Sequence, residues 1–418
     1  MNHYLENLFT ENNLSAQRKL ISDICKDSPM FDCILHKVKN RQLVDGNGHW
    51  LADFATQDYL GFDFEPRVIQ AAIHATQEYG TVVAWCRLVA TVDLFNRAEQ
   101  EIANLIGAEA VSIFASTTLL NHGVIPALLG KDGVLFLDKS GHATMYEAGK
   151  MARDSGSKLI NFPTEDYEAL EKLLIEYKDI PKKLIAVDGV NSMTGDYTDL
   201  PTLDTLARKY NALVYVDDAH GFGVVGENPD NNHPYGHKGN GLINYFGLNY
   251  DNIVYIGCFS KAYGSFGSFI GCSHRMRDFL ISQATPHDLG GAGPASAIAA
   301  LLEGIKINAE KGDEIRQHIY KLTQKALNGL KNLGFDTYNK TSFPIISVPL
   351  YNGDLMIEAS HILYDNHILL TLAPYPMVKR GNEAFRITVT SINTEEEIDQ
   401  LILAFGEIKK FLVEKNVV

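Results

Sequence analysis

The stretch NIVYIGCFSKAYGSFGSFIGCS, residues 252–273, decides the fold because it places one lysine between two apolar runs. The runs 252–258 and 268–273 are short, apolar and rich in β-branched and aromatic residues, which is typical of buried strands. Lysine rarely lies inside a protein core. We therefore interpret Lys261, at the end of a buried strand, as a residue whose amine is used in a site.

Five further runs upstream repeat the strand pattern and alternate with amphipathic segments. DYEALEKLLIEYK, for example, spaces apolar residues three and four apart, as a helix with one buried face does. Continuous apolar strands separated by helices predict an α/β fold, with a mostly parallel seven-stranded sheet covered on both faces. The five upstream runs are AVSIFAS (110–116), GVLFLD (133–138), KLINFP (158–163), KLIAVDG (183–189) and ALVYVDD (212–218).

The pattern changes after Pro294, where a long helical segment begins. We expect this helix to break near Gly312, and three strand-like runs, FPIISVPL, HILLTLAPYP and AFRITVT, to follow it. A capping box formed by Thr394 and Glu397 opens a final helix. These elements predict a smaller C-terminal α+β domain. The expected division is an N-terminal segment (1–60), a large domain (61–295) and a small domain (296–418).

Composition excludes several classes of protein. The 418 residues include 37 Lys and Arg against 51 Asp and Glu, a net charge of -14, and such a chain repels nucleic acid and anionic membranes. No apolar run is long enough to cross a bilayer. The five cysteines are widely spaced, which predicts neither a disulfide framework nor a metal site. We expect a cytoplasmic protein, because the N-terminal residues also lack an apolar signal core.

Polar side chains gather where the predicted strands end, and parallel strands end at one edge of a sheet. A lysine amine there can form a Schiff base with an aldehyde, and pyridoxal phosphate is the commonest such cofactor. Asp217 would keep its pyridine nitrogen protonated, and His142 could stack on its ring. The segment ASTTLLNHG (115–123) follows a strand and can open a helix, which suits a phosphate.

Each of these residues also has an ordinary structural interpretation. A lone lysine is more often a surface residue with its charged end in water, and a lone aspartate is more often a helix cap or turn residue. His142 and His220 could be structural histidines, and Ser192 could belong to a turn. The functional interpretation depends on their occurring together, in a consistent order, each at a strand end.

The order of motifs resembles that of the α-oxoamine synthases, a branch of the fold-type I pyridoxal-phosphate enzymes. The matching segments run from DYLGF (58–62) to FRITVTSINTEEEID (385–399), with HAT, SMTGD, VDDAHGFGVVG and FSKAYGS between them. The resemblance implies a fold-type I transferase that condenses an amino acid with an acyl-CoA, or an acyl carrier thioester, and releases carbon dioxide. It also implies a homodimer.

The resemblance assigns roles around the cofactor, pyridoxal 5'-phosphate. Lys261 would hold the cofactor and move the Cα proton, and Asp217 would pair with the pyridine nitrogen. His142 would stack on the ring and contact the acyl group, so that these three residues are the predicted catalytic set. His220 would contact the phenolic oxygen, and Ser192 would lie beside the cofactor.

The remaining predicted site residues bind phosphate or substrate. Thr117 and Thr118 lie where the family has Gly and an aromatic residue beside the phosphate, and Ser260 completes the cofactor set. Arg386 would bind the amino-acid carboxylate, a task that suits a planar guanidinium. Gln57 occupies the position of a family asparagine that helps to hold the same carboxylate.

The sequence departs from the family at further places, including Cys258, Phe95 and the loop 227–241. Cys258 replaces a threonine whose hydroxyl contacts the phosphate, and Phe95 replaces a histidine. The polar loop ENPDNNHPYGHKGNG (227–241) is longer than usual and is expected on the surface. The Arg, Thr, Asp and Glu spacing in CRLVATVDLFNRAE (86–99) is similar to that of serine palmitoyltransferases.

Three other classes of protein compete with this hypothesis. GFGVVG (221–226) matches a dinucleotide-binding GxGxxG, but an acidic segment separates it from the strand and ENPDNN is a poor helix start. A metal hydrolase could use Asp217, Asp218, His220 and His142, but adjacent aspartates in a strand point to opposite faces. A binding protein without a cofactor is the third. Within the pyridoxal-phosphate enzymes, the alternative is an aminotransferase or lyase of the same fold.

Overall fold

The computed structural model describes residues 13–39, 42–291 and 293–417. The chain forms two compact units, one running from Gln57 to Tyr320, and the other made of the residues up to Thr56 and from Lys321 onward. The expected boundaries were at residues 60 and 295, with a separate N-terminal segment. The structure instead joins that segment to the C-terminal part of the chain, because their strands pair in one sheet.

A seven-stranded, mostly parallel sheet forms the centre of the larger unit, in the order β4-β10-β9-β8-β7-β5-β6, which confirms the predicted fold class. Only β10 runs against its neighbours β4 and β9. Most of these strands are buried at every position, as expected of a sheet covered on both faces. The strands are β4 (Ala110–Phe114), β5 (Val134–Asp138), β6 (Lys158–Phe162), β7 (Lys183–Asp188), β8 (Leu213–Asp217), β9 (Ile253–Cys258) and β10 (Ser268–Cys272).

Helices of the larger unit begin at recognisable caps. Ser116, Asp166, Asp199 and Ser273 each accept a hydrogen bond from a backbone N–H in the first turn of the helix that follows. The helices are α2 (Pro66–Tyr79), α3 (Asp93–Ile106), α4 (Thr117–Leu129), α5 (Ala143–Asp154), α6 (Tyr167–Glu176), α7 (Leu200–Lys209), α8 (Leu242–Tyr245), α9 (His274–Gln283) and α10 (Pro286–Leu289), with a 3-10 turn at Phe62–Phe64.

The smaller unit contains a six-stranded sheet, in the order β1-β2-β3-β12-β13-β11. Its N-terminal hairpin joins the C-terminal strands because β3 runs parallel to β12, with Ala52 opposite Ile368. The capping box of Thr394 and Glu397 is present. The elements are α1 (Asn13–Cys25), β1 (Leu35–Lys39), β2 (Gln42–Asp45), β3 (Trp50–Phe54), β11 (Ile345–Pro349), α12 (Gly353–Asp365), β12 (Ile368–Ala373), β13 (Ala384–Thr388) and α13 (Glu395–Glu414).

Helix α11 (Ala295–Asn332) is continuous, so the expected break near Gly312 was wrong. Gly312 is needed for packing instead. A Cβ atom there would lie 2.2 Å from Asn308 Oδ1 and 2.8 Å from Arg316 Nη2. The missing side chain leaves room for buried Arg316 to donate to Asn308 Oδ1 at 2.7 Å, across one turn of the helix on either side of the glycine.

Two expectations from composition can be compared with the described part of the chain. None of its helices is both long and apolar enough to cross a membrane. The five cysteines are free thiols, three of them buried.

Candidate active site

A cavity of about 220 Å³ lies in the larger unit, where β7, β8 and β9 end. Asp188, Asp217 and Cys258 are the last residues of these strands, and the parallel arrangement brings them to one edge. Every residue of the predicted cofactor set lines this cavity. Its lining residues are Ser116, Thr117, Thr118, His142, Asp188, Val190, Ser192, Asp217, Ala219, His220, Cys258, Ser260 and Lys261.

Asp217 is held in place by a buried amide. Asn121, in α4, donates from Nδ2 to Asp217 Oδ2 at 3.1 Å, and its Oδ1 accepts the Tyr215 hydroxyl at 2.5 Å. Tyr215 and Asp217 are two residues apart in β8, so their side chains lie on the same face of the sheet. Asn121 and Tyr215 are fully buried, which fixes the carboxylate in one orientation.

The same amide connects Asp217 to His142. Asn121 Nδ2 also donates to Thr144 Oγ1 at 2.9 Å, and Thr144 Oγ1 lies 2.8 Å from His142 Nδ1. The backbone N–H of Thr144 also donates to His142 Nδ1, at 3.4 Å, so the Thr144 hydroxyl proton is directed at the same nitrogen. That nitrogen therefore accepts, and the proton of the neutral ring is on Nε2.

The ionisation of His142 agrees with this assignment. The pKa of its ring is lowered from the ordinary histidine value, chiefly by desolvation, while Asp217 raises it and Lys261 lowers it. A neutral imidazole at the mouth of the cavity can stack on a flat ring and can donate from Nε2.

Asp188 lies opposite Asp217 on the neighbouring strand. Burial and the negative charge of Asp217 raise the pKa of Asp188 well above its ordinary value, against the opposing hydrogen bond from His142 N at 3.1 Å. Two adjacent carboxyl groups in one cavity disfavour a second negative charge. The protonated form of Asp188 is thus favoured.

Hydroxyl groups and a helix N-terminus form one end of the cavity. Ser116 caps α4 by accepting from Leu119 N, and Thr117 and Thr118 occupy the first turn. The first N–H groups of a helix have no partner within the helix, so this end suits an anion such as phosphate. Ser260 adds a solvent-exposed hydroxyl, and Cys258 Sγ lies 3.3 Å from its Oγ.

Lys261 follows β9 in a tight turn. Gly264 N donates to Lys261 O, and Gly264 has φ 54°, a conformation that favours glycine. Phe259 N and Gly267 O are bonded across the same turn at 2.9 Å. This turn directs the lysine side chain into the cavity. Lys261 is half-buried, so it is less desolvated than the apolar sequence around it suggested.

His220 is buried in the lining of the cavity and has a partner that sequence reasoning missed. The hydroxyl of Tyr59 lies 2.8 Å from His220 Nδ1, and both side chains are buried. Tyr59 belongs to the DYLGF motif, which was noted only as a point of resemblance. Asn121, Thr144 and Tyr215 were also missed, because polar residues inside helices and strands carry no distinctive spacing.

Asp218 does not line the cavity, in agreement with the opposite directions expected of adjacent strand residues. Its Oδ2 accepts from Leu242 N and from Tyr255 OH, each at 2.9 Å. Burial raises the pKa of Asp218 to about 7, although both hydrogen bonds lower it. The placement of Asp218 argues against a hydrolytic metal centre built on Asp217 and Asp218.

The GFGVVG segment also lacks the setting of a dinucleotide site. The next helix after these glycines is α8, which begins at Leu242. Without a helix directly after the glycines, no helix N-terminus can face a pyrophosphate there.

The two predicted substrate residues do not line this cavity. Gln57 is half-buried and precedes Asp58 in the larger unit. Arg386 is buried in β13 of the smaller unit, opposite Ser347 and Thr371 in the sheet register. Their assignment to the substrate carboxylate stays a prediction.

The lining of the cavity fits pyridoxal phosphate. It offers an amine on Lys261, an oriented carboxylate on Asp217, an imidazole on His142, and a hydroxyl-rich helix N-terminus for the phosphate. These are the groups that this cofactor requires. They are drawn from several strand ends and two helix starts, and all lie within one unit.

Comparison with known proteins gives consistent results. Residues 51–405 match the family model for aminotransferase class I and II. A relative from Thermosipho melanesiensis, 8-amino-7-oxononanoate synthase, is 31% identical over 380 residues, covering 89% of this chain and 93% of its own. A putative 8-amino-7-oxononanoate synthase of Geobacillus kaustophilus is 33% identical, covering 85% and 88%. Serine palmitoyltransferase from S. paucimobilis, solved with a bound PLP–myriocin aldimine, superposes with a TM-score of 0.86 at 24% identity, covering 97% and 98%.

Proposed function

The chain belongs to the aminotransferase class I and II family and, within it, to the α-oxoamine synthases, and on this premise we propose how its cavity works. It is a pyridoxal-phosphate-dependent C-acyltransferase. The reaction condenses an amino acid with an acyl thioester and yields an α-amino ketone, carbon dioxide and the free thiol. The observation that supports this most directly is the meeting of Lys261, Asp217 and His142 in one cavity.

Bound pyridoxal phosphate supplies a cationic ring that can delocalise negative charge from the Cα of the amino acid. Lys261 would hold the cofactor through its amine, and when free that amine would take the proton from the Cα of the amino acid. Asp217 keeps the pyridine nitrogen protonated, and its hydrogen bond from Asn121 fixes that charge before the reaction starts. We infer these two roles from the positions of Lys261 and Asp217 in the lining of the cavity.

His142 stacks on the ring and positions the acyl carbonyl through Nε2–H. The relay from Tyr215 through Asn121 and Thr144 supports this assignment, because it directs a donor at His142 Nδ1 and leaves the other nitrogen protonated. A neutral donor suits this role, since it can stabilise the developing oxyanion without repelling Lys261.

The remaining contacts complete the site. Thr117, Thr118 and Ser260 would hold the phosphate of the cofactor, and His220 and Ser192 would line the space for its ring. We assign the amino-acid carboxylate to Arg386 and Gln57, as the resemblance to the α-oxoamine synthases implies. A buried guanidinium can bind a carboxylate through two parallel hydrogen bonds. A glutamine amide can donate one more.

The decisive assay is thioester-dependent release of carbon dioxide. The purified enzyme, loaded with cofactor, is given each common amino acid in turn, labelled at the carboxyl carbon, with or without an acyl-CoA. We expect labelled carbon dioxide only when both substrates are present. Release without thioester, or amino transfer to a keto acid in its absence, would support the alternative lyase or aminotransferase and contradict this proposal. Replacing acyl-CoA by an acyl carrier protein distinguishes the two carriers.

We also propose that the enzyme is a cytoplasmic homodimer. The segment 81–90 exposes four large apolar side chains, with exposed fractions of 61% for Val82, 56% for Trp85, 77% for Leu88 and 73% for Val89. Such a run on the surface is typical of a protein interface. A second copy of the chain is the proposed occupant, and the five free cysteines suit a reducing compartment.

Sedimentation of Leu88→Glu tests the dimer. We expect the wild-type enzyme to sediment as a dimer and this variant as a monomer, because a buried charge weakens an apolar interface. Leu403→Glu is the matched control, since Leu403 is 70% exposed on α13 and should leave the dimer intact. A wild-type monomer, or equal effects of the two substitutions, would contradict the proposed interface.

A further inference from the structure

The long loop 227–241 brings two histidines and an aspartate together outside the cavity. Asp230, His233 and His237 each offer one ligand atom, and these atoms lie within 4.8 Å of one another. The rings of His233 and His237 are 4.4 Å apart, centroid to centroid. No metal was expected from the sequence, because only the cysteine spacing and the acidic strand end at Asp217 and Asp218 were considered as metal sites.

The backbone of this loop is fixed rather than extended into solvent. His237 N donates to Glu227 O at 2.7 Å, Gly226 N donates to Tyr235 O, and Gly236 N donates to His233 O. Gly236 has φ 74°, and a Cβ atom there would lie 1.9 Å from Gly226 O. The close approach of these two backbone segments holds the histidines in one place.

His237 is oriented by a carboxylate, as metal-binding histidines usually are. Its Nδ1 lies 2.9 Å from Asp313 Oδ2. Asp313 already accepts from Arg316 Nη2 at 2.5 Å and from Lys238 N at 2.9 Å, so it acts as an ionised acceptor. His237 Nδ1 must therefore carry a proton, and the lone pair of the neutral ring is on Nε2.

His233 supplies the second nitrogen. Its Nδ1 is buried but forms no hydrogen bond, and it lies 3.4 Å from Asp230 Oδ1. Asp230 Oδ1 is fixed by the backbone N–H groups of Asn232 and His233, each at 2.7 Å. A buried nitrogen that makes no hydrogen bond and faces an oriented carboxylate at 3.4 Å is a position that a cation would satisfy.

We propose that Asp230, His233 and His237 bind one divalent transition-metal ion, with zinc preferred, and that Asp313 is a positioning residue for His237. Two imidazoles and a carboxylate suit zinc, with water as the fourth ligand. Ligand atoms of a tetrahedral zinc ion lie about 3.3 Å apart, given bonds of about 2.0–2.1 Å. Side-chain rotation alone can bring atoms within 4.8 Å to that spacing. The ion would stabilise the loop between the strand end that carries Asp217 and helix α8.

Calorimetric titration of the cofactor-loaded enzyme with zinc tests this site. The protein carries no polyhistidine tag and is first treated with a chelator. We expect one zinc ion per chain, and a dissociation constant raised more than about a hundredfold in His233→Ala and His237→Ala. His74→Ala, which alters an exposed histidine on α2, should bind zinc as the wild type does.

Two milder variants guard against misfolding. Asp230→Asn keeps an oxygen that can accept from the two backbone N–H groups, but it removes the negative charge that would face the metal ion. Asp313→Asn removes the carboxylate that orients His237 and should weaken zinc binding about ten- to a hundredfold. Zinc should raise the melting temperature of the wild type and of His74→Ala, and should not raise that of His233→Ala. An enzyme that binds no zinc, or equal affinity in wild type, His233→Ala and Asp230→Asn, would overturn the proposal.

Discussion

Replacing Asn121 by alanine should destabilise the larger unit strongly, because three buried groups share this one amide. The variant removes hydrogen bonds to the Tyr215 hydroxyl, the Thr144 hydroxyl and the Asp217 carboxylate. A buried polar group left without a partner costs about 1–3 kcal/mol. Tyr215 is fully buried and bears that full cost, whereas water in the adjoining cavity can reach Asp217. We therefore expect a loss of about 2–4 kcal/mol in the free energy of unfolding.

Chemical denaturation followed by circular dichroism measures this loss. The cofactor-free form is used for every variant, so that a change in cofactor affinity does not enter the result. Asn104→Ala is the control, because Asn104 is exposed on α3 and should change the free energy of unfolding by less than about 0.5 kcal/mol. An effect of Asn121→Ala no larger than that of the control would refute the argument from buried hydrogen bonds.

A double-mutant cycle separates the Tyr215 contact from the rest. Tyr215→Phe alone leaves Asn121 Oδ1 without its donor and should be destabilising. In the Asn121→Ala background the same substitution removes a hydroxyl that has already lost its acceptor, so it should be neutral or stabilising. The expected coupling energy is about 0.5–3 kcal/mol. Additive effects would show that the two side chains do not interact.

Three further predictions concern individual side chains. Asp218→Asn should flatten the pH dependence of stability. The carboxyl of Asp218 keeps its proton up to about pH 7 in the folded protein, but only up to about pH 3.8 in the unfolded chain. The free energy of unfolding of the wild type should therefore fall by about 4 kcal/mol as the pH rises from about 3.8 to about 7. Unfolding measured across that range should show the decline in the wild type and not in the variant. Tyr59→Phe should lower kcat by up to about tenfold, because it removes the hydrogen bond to His220. Unchanged steady-state rates would show that this hydrogen bond does not contribute to catalysis. Arg386→Lys should raise KM for the amino acid about ten- to a hundredfold with a smaller change in KM for the thioester, and equal changes in both would contradict a carboxylate role.

The sheet could be predicted because burial on both faces leaves a simple trace in the sequence. The run 183–189 contains four consecutive apolar residues, Leu184 to Val187, and strand β7 is buried throughout. Gly312 misled because a glycine in a helical pattern usually marks an end, while here it makes room for the Arg316 contact. The joining of β3 to β12 depends on pairing between distant segments, and local patterns do not encode that partner.

Residues that contact the cavity were easier to predict than those that support them. Lys261 and Asp217 are conspicuous because each comes at or just after the end of a strongly apolar run. Asn121 and Tyr215 support Asp217 through a hydrogen bond between residues that are 94 positions apart in the chain, so no local spacing pattern connects them. Asp230, His233 and His237 were visible in the sequence, but the orientation of His237 by Asp313 depends on a fold that brings residue 313 to the loop.

The central claim is that Lys261 forms a Schiff base with pyridoxal phosphate, and its most direct test is reductive trapping. The cofactor-loaded enzyme is reduced with borohydride, which makes the bond permanent, then digested and analysed by mass spectrometry. We predict one pyridoxyl phosphate group, on the peptide containing Lys261, and none in Lys261→Ala. A label on another lysine, or no label on any peptide after saturation with the cofactor, would contradict the account.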